Sequence, residues 1–92
     1  MATTAPPLKT SKLRQVLVKR FPGAEVPSLR REMRPGRIGG ILVWPKFRGK
    51  GQLERQEELL AKLRADLTPE DLLEIGLILT VTPDEYRAFT KE

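Results

Sequence analysis

The 92-residue chain contains no cysteine and no histidine. Their absence removes a thiol nucleophile, a disulfide framework, a Cys/His zinc site and every catalytic triad built on imidazole. Aromatic residues are few, at 5%, with one Trp, one Tyr and three Phe, so each is a candidate anchor of the core. Long apolar runs are missing as well. Uncharged apolar-leaning stretches such as Gly39 to Pro45 fall far short of the roughly 20 residues of a membrane span. The opening MATTAPPLKT has no apolar core of a secretory signal, and the expected location is cytoplasmic. No nucleophile–base pair stands at a recognisable spacing, so no enzymatic activity is expected. Glu54, Glu57 and Glu58 have no His or Asp beside them and read as a solvated helix face, not as a metal site. No cofactor is expected.

What the chain does have is charge, unevenly placed. It holds 17 Lys+Arg against 12 Asp+Glu, a formal net of +5. Residues 1–51 carry 12 bases and two acids, a net of +10, whereas residues 52–92 carry five bases and ten acids, a net of −5. Such asymmetry points to a polyanionic partner, DNA or RNA, or to a bipolar surface whose halves attract each other. The apolar fraction of 39% beside 32% charged residues places the chain among globular proteins.

Residues 1–10 read as a disordered Ala/Thr/Pro-rich tail and residues 11–92 as one domain. Thr10 or Ser11 caps a helix from Lys12, with Leu13, Val16, Leu17 and Phe21 on one stripe. Phe21-Pro22-Gly23 ends it. Ala24 to Arg31 is extended, and Pro27 confines it to a sheet edge or a bulge. Met33 to Arg37 is a turn. Ile38 to Trp44 is the strongest strand, with Gly39-Gly40 marking a bulge or a close backbone approach. Pro45 to Gly51 is a loop. Gln52 to about Asp66 is the main helix, with a stripe of Leu53, Gln56, Leu60, Leu63 and Leu67 supported by Leu59. Glu58 and Lys62 form an i,i+4 pair. Thr68-Pro69 and Thr82-Pro83-Asp84-Glu85 each open a helical segment. Leu77 to Val81 is a strand between them, and Tyr86 and Phe89 pack back onto the core. The result is a small α+β domain in the order α-β-β-α-β-α, a three-stranded mixed sheet packed against helices.

Three segments resemble one family. Phe47 to Gln56 (FRGKGQLERQ), Leu13 to Val26 (LRQVLVKRFPGAEV) and Leu77 to Tyr86 (LILTVTPDEY) are similar, in order and approximate spacing, to the signature segments of BolA-like proteins. The resemblance spans about residues 11–89. It implies a fold like the type II KH module. It also implies a role in transcriptional or stress regulation, and pairing with a monothiol glutaredoxin around a shared iron–sulfur cluster. For that cluster the family uses a His near the start of the last strand and a Cys or His between the first two strands. The matching stretches here, Leu73 to Gly76 and Arg31 to Arg37, hold neither. Cluster ligation in its usual form therefore lacks its thiolate or imidazole.

The candidate nucleic-acid site is the loop before the main helix: Lys46, Arg48 and Lys50 as phosphate contacts, with Gly49 and Gly51 allowing close approach at a helix N-terminus. A KH module uses Gly-x-x-Gly, and this loop is one residue short. Lys12, Lys19, Arg31, Arg34 and Arg37 are secondary contacts, and Arg30 joins the crowd at the first hairpin. The bland reading of all of these is solvated charge. Trp44 either stacks a base or covers the core, and Gln56 reads as a hydrogen-bonding residue on a largely apolar face. The competing function is a protein–protein adaptor that docks a glutaredoxin-like partner without a cluster. A subunit of a homo-oligomer is a third reading.

Overall fold

The computed structural model describes residues 7–33 and 36–90. Helix α1 (Thr10–Arg20) buries Leu13, Val16 and Leu17, the i, i+3, i+4 set of a single face. Phe21 follows, fully buried, and Gly23 turns the chain at φ 84°. The helix starts two residues before the expected position, with Lys9 at its cap and no side chain capping it. The cause lies just upstream, where Leu8 is buried in the core and the Leu13 N–H donates to the Lys9 carbonyl at 3.1 Å. The tail boundary set at residue 10 therefore falls earlier, while residues 1–6 lie outside the described residues.

Strands β1 (Glu25–Arg31) and β2 (Ile38–Val43) form the expected antiparallel hairpin, and β3 (Ile75–Val81) runs parallel to β2, in the order β1-β2-β3. Pro27 sits on an edge strand inside a register irregularity between Glu25 and Ser28, both of the positions that proline tolerates. Gly40 is the close approach, since a Cβ there would lie 2.2 Å from the Ser28 carbonyl oxygen.

A 3₁₀ turn (Pro45–Phe47) leads into α2 (Gln52–Arg64). Phe47, read in the sequence as part of a loop, is fully buried. With Phe21 and Trp44 it forms an aromatic cluster at centroid distances of 4.9, 5.2 and 5.9 Å. Helix α3 (Pro69–Leu73) opens with a Thr68–Asp71 capping box, and α4 (Pro83–Thr90) opens with the same reciprocal pair between Thr82 and Glu85.

Two expectations are overturned. The buried face of α2 is Arg55, Leu59 and Leu63, and Leu53 is 74% exposed. The helix is turned so that the Arg55 guanidinium reaches acceptors inside the fold. Tyr86 and Phe89 do not pack onto the core: no residue of α4 is buried, and the two rings stack edge-on against each other at 5.5 Å.

Gly40→Ala is expected to force β1 away from β2 and cost at least about 1–3 kcal/mol in urea unfolding. Gly51→Ala, with open space around its Cβ, should lose far less, no more than the few tenths to about 1 kcal/mol of a weaker N-cap.

Candidate functional site

Arg55 is a buried cation, so it must be fully partnered. Its Nε donates to the Lys50 carbonyl at 2.8 Å, and its Nη1 to the Thr80 carbonyl at 2.9 Å and to Glu85 Oε1 at 2.7 Å. The guanidinium also lies 5.7 Å from the Phe47 ring centroid. Gln56 behaves as expected, donating to the Ile78 carbonyl and the Thr80 hydroxyl, and Gln52 donates to Thr80 O. These α2 side chains cover the outward carbonyls of β3, blunting an edge that otherwise invites another strand.

The candidate phosphate-binding loop is largely neutralised from within. Arg48 pairs with Asp84 at 2.7 Å and Lys50 with Glu58 at 2.7 Å. Lys46 has no carboxylate partner among the described residues, and its Nζ sits 5.7 Å from the Trp44 ring centroid. Gly49 does take a positive φ, 82°, and Gly51 is the cap residue of α2. Trp44 is buried, with its indole N–H donating to the Pro22 carbonyl at 2.9 Å. It is a core residue and offers no face to a base.

The secondary cations divide. Lys12 and Lys19 lie seven residues apart on one side of α1 and line a depression with Gln15, Val16 and Asp66. Arg31 and Arg37 stand at the turn end of the hairpin, roughly 20 Å along β2 from Trp44, and Arg34 lies outside the described residues. The loop cations and the hairpin cations therefore lie at opposite ends of β2.

The sequence reading missed the acids and the lysine that organise the α1–α2 face. Asp66 is held by Arg20 through two 2.8 Å hydrogen bonds and lies 3.6 Å from Lys19. Glu58 lies between Lys50 and Lys62. Lys62 Nζ lies 4.8 Å from the ring centroids of both Phe21 and Trp44. Each acid on this face thus serves two cations. Only the Glu58–Lys62 spacing was visible in the sequence.

At the opposite end, Arg31 Nη2 meets Glu74 Oε1 at 2.8 Å and the Leu8 carbonyl at 2.6 Å, while Glu74 Oε2 accepts the Leu8 N–H at 3.1 Å. These are the stretches where the resemblance places cluster ligands. An arginine–carboxylate pair stands there, and it does not fit an iron–sulfur cluster.

The remaining feature is apolar. Ile78 and Thr80 of β3 are buried and face α2, so Leu77 and Leu79 turn to the other side of the sheet, where they are 68% and 40% exposed. Ile41, the register partner of Leu79, is only partly covered. Leu73, 72% exposed, and Met33, 97% exposed, lie toward the hairpin-turn end. Between α2, α3 and β3 a cleft of about 210 Å³ is floored by Leu59, Leu63, Leu72 and Ile75.

The hydrogen bond from Arg55, then that from the Thr82 backbone, pulls the Glu85 carboxyl down from 4.5 to about 2. Arg20 does the same for Asp66, from 3.8 to about 2, and Lys50 lowers Glu58. Depressed carboxylates stabilise the fold above their unfolded pKa, and that stability is lost as pH falls through the folded value. Urea midpoints should therefore be insensitive to these groups near neutrality and fall between about pH 4.5 and about 2. Glu85→Gln should flatten part of that fall; an acid limb unchanged in the variant would show that Glu85 is not paired.

No protein-family model matches the chain, and no curated protein matches it. Solved structures do. The chain is similar to a bolA protein homologue from Coxiella burnetii, with TM-score 0.67 and 22% identity, over 87% of this chain and 97% of that one. It is also similar to a bol-like protein from Babesia bovis, with TM-score 0.62 and 18% identity, over 96% and 100%. The α+β chain therefore has the BolA-like fold that its sequence motifs resemble.

Proposed function

We propose that the chain is a non-enzymatic regulatory protein of the BolA-like family that works as a protein–protein adaptor. It docks its partner on the apolar surface of β3 and the hairpin-turn end, without sharing an iron–sulfur cluster. The observation that carries this is the contiguous Leu77, Leu79 and Ile41 on the sheet face opposite α2. Single exposed leucines are ordinary, whereas adjoining ones mark interaction surfaces. A glutaredoxin-like protein is the partner class that the resemblance implies. Where that family brings cluster ligands, Arg31 and Glu74 offer paired charge to a polar rim.

One observation favours the nucleic-acid reading as the second. On the α1–α2 face Glu58 and Asp66 are each shared by two cations, and Lys12 there, like Lys46 beside Trp44, has no carboxylate partner among the described residues. That face keeps a positive excess, and backbone phosphates are what it would take.

Two titrations separate the readings. Calorimetry against a monothiol glutaredoxin should show binding that changes little with salt and weakens on Leu77→Asp. Burying one leucine stabilises by about 1.5–3 kcal/mol, so the loss should be tenfold or more. Anisotropy with labelled duplex DNA should show weak binding with a steep salt slope, near −0.9 per phosphate neutralised. The adaptor reading fails if glutaredoxin binding ignores Leu77→Asp while tight DNA binding disappears in Lys12/Lys46/Lys62→Ala.

A further inference from the structure

Leu8 is held in the way a bound peptide residue is held. Its side chain is buried, 4% exposed, among core residues. Its N–H is accepted by Glu74 Oε2 and its carbonyl is met by Arg31 Nη2. Both reading groups come from the folded body, 66 and 23 residues away in sequence. They are fixed against each other by their own 2.8 Å contact, and Arg31 is further tied to the Gly36 carbonyl. This arrangement reads one residue of an extended segment: an apolar side chain in a socket, one backbone donor and one backbone acceptor. The flanking chain, Pro7 to Lys9, borders a shallow depression of about 560 Å³ that includes Leu29 and Arg30. Among the described residues, 7–9 have no strand partner of their own. Its hold in this depression is the Leu8 side chain and these backbone contacts, of which Glu74 and Arg31 supply the polar part.

We propose that the Leu8 socket is a peptide-binding site closed in cis by residues 7–9, and that a partner opens it by inserting an extended segment with a leucine-like side chain. The partner's backbone N–H and C=O take over Glu74 and Arg31. This rests on the docking reading and deepens it by naming a pocket at the hairpin-turn end, where Arg31 and Glu74 lie, but its test needs no natural partner. The tethered segment competes at an effective concentration on the order of millimolar, so a free peptide meets a mostly closed site, and its apparent affinity falls by the open fraction.

The probe is a fluorescein-labelled peptide of residues 4–12, titrated by anisotropy into the full chain and into full-chain Leu8→Gly. The Leu8→Gly chain is expected to bind at least about tenfold more tightly than the parent. A labelled peptide carrying Leu8→Gly should not bind, and Glu74→Gln placed in the Leu8→Gly chain should weaken binding. Equal affinity for parent and Leu8→Gly chain, or equal binding of the two peptides, overturns the proposal. If Leu8→Gly does not fold, native-state hydrogen exchange on the parent decides. A Leu8 amide that exchanges through local opening, well below the global unfolding free energy, supports the socket. A Leu8 amide that exchanges only on global unfolding makes Leu8 a permanent core residue and overturns it. Loss of glutaredoxin binding alone would leave these peptide results intact, so the two readings fail separately.

Discussion

A guanidinium inside a 92-residue domain constrains everything around it. Arg55 is 5% exposed at its side chain, and a charge removed from water is tolerated only with a full set of acceptors. It finds them on three separate segments: Lys50 in the loop, Thr80 in β3 and Glu85 in α4. Those three segments and α2 are thereby fixed relative to one another. The rotation of α2 follows, because placing Arg55 inside turns Leu53 and Leu60 outward. The position of α4 follows as well. That helix is gripped through Asp84 and Glu85 in its first turn, not through an apolar face.

The same economy governs the surface charge. The basic first half and acidic second half of the sequence meet in the fold as ion pairs: Arg20 and Lys19 with Asp66, Arg31 with Glu74, Arg48 with Asp84, and Lys50 with Glu58. Most of these are half-exposed and contribute little stability singly. Their larger effect is to lower the potential that a polyanion would feel. The bipolar-surface reading of the sequence describes the molecule better than a single cationic front. Beside these pairs, Leu77, Leu79 and Leu73 leave exposed apolar surface along β3 and toward the hairpin-turn end.

Much of the fold was legible because local chemistry and global structure agree. Leu13, Val16 and Leu17 announce α1 by their spacing. Pro27 announces an edge strand and Gly40 a close approach. Thr68 and Thr82 announce two helix starts that the structure seals with reciprocal hydrogen bonds. The failures share one cause. Leu53 and Arg55 lie two residues apart on one helix, and hydropathy alone sends Leu53 inward. Only the distant acceptors on Thr80 and Glu85 reverse the choice. Likewise Lys50, Arg48 and Lys19 look free until residues 8 to 47 positions away supply carboxylates. Leu8 sat in an Ala/Thr/Pro-rich stretch with no periodicity to mark it, and its burial depends on Glu74 and Arg31. Periodicity finds faces; it does not find partners across the chain.

The most direct test of this account is a double-mutant cycle between Arg55→Met and Glu85→Gln, followed by urea unfolding at neutral pH. If Arg55 is the tie between α2 and α4, the two substitutions should be strongly non-additive, with a coupling of about 1 kcal/mol or more. Additive effects would mean that the two side chains do not meet, and that α2 faces the sheet some other way.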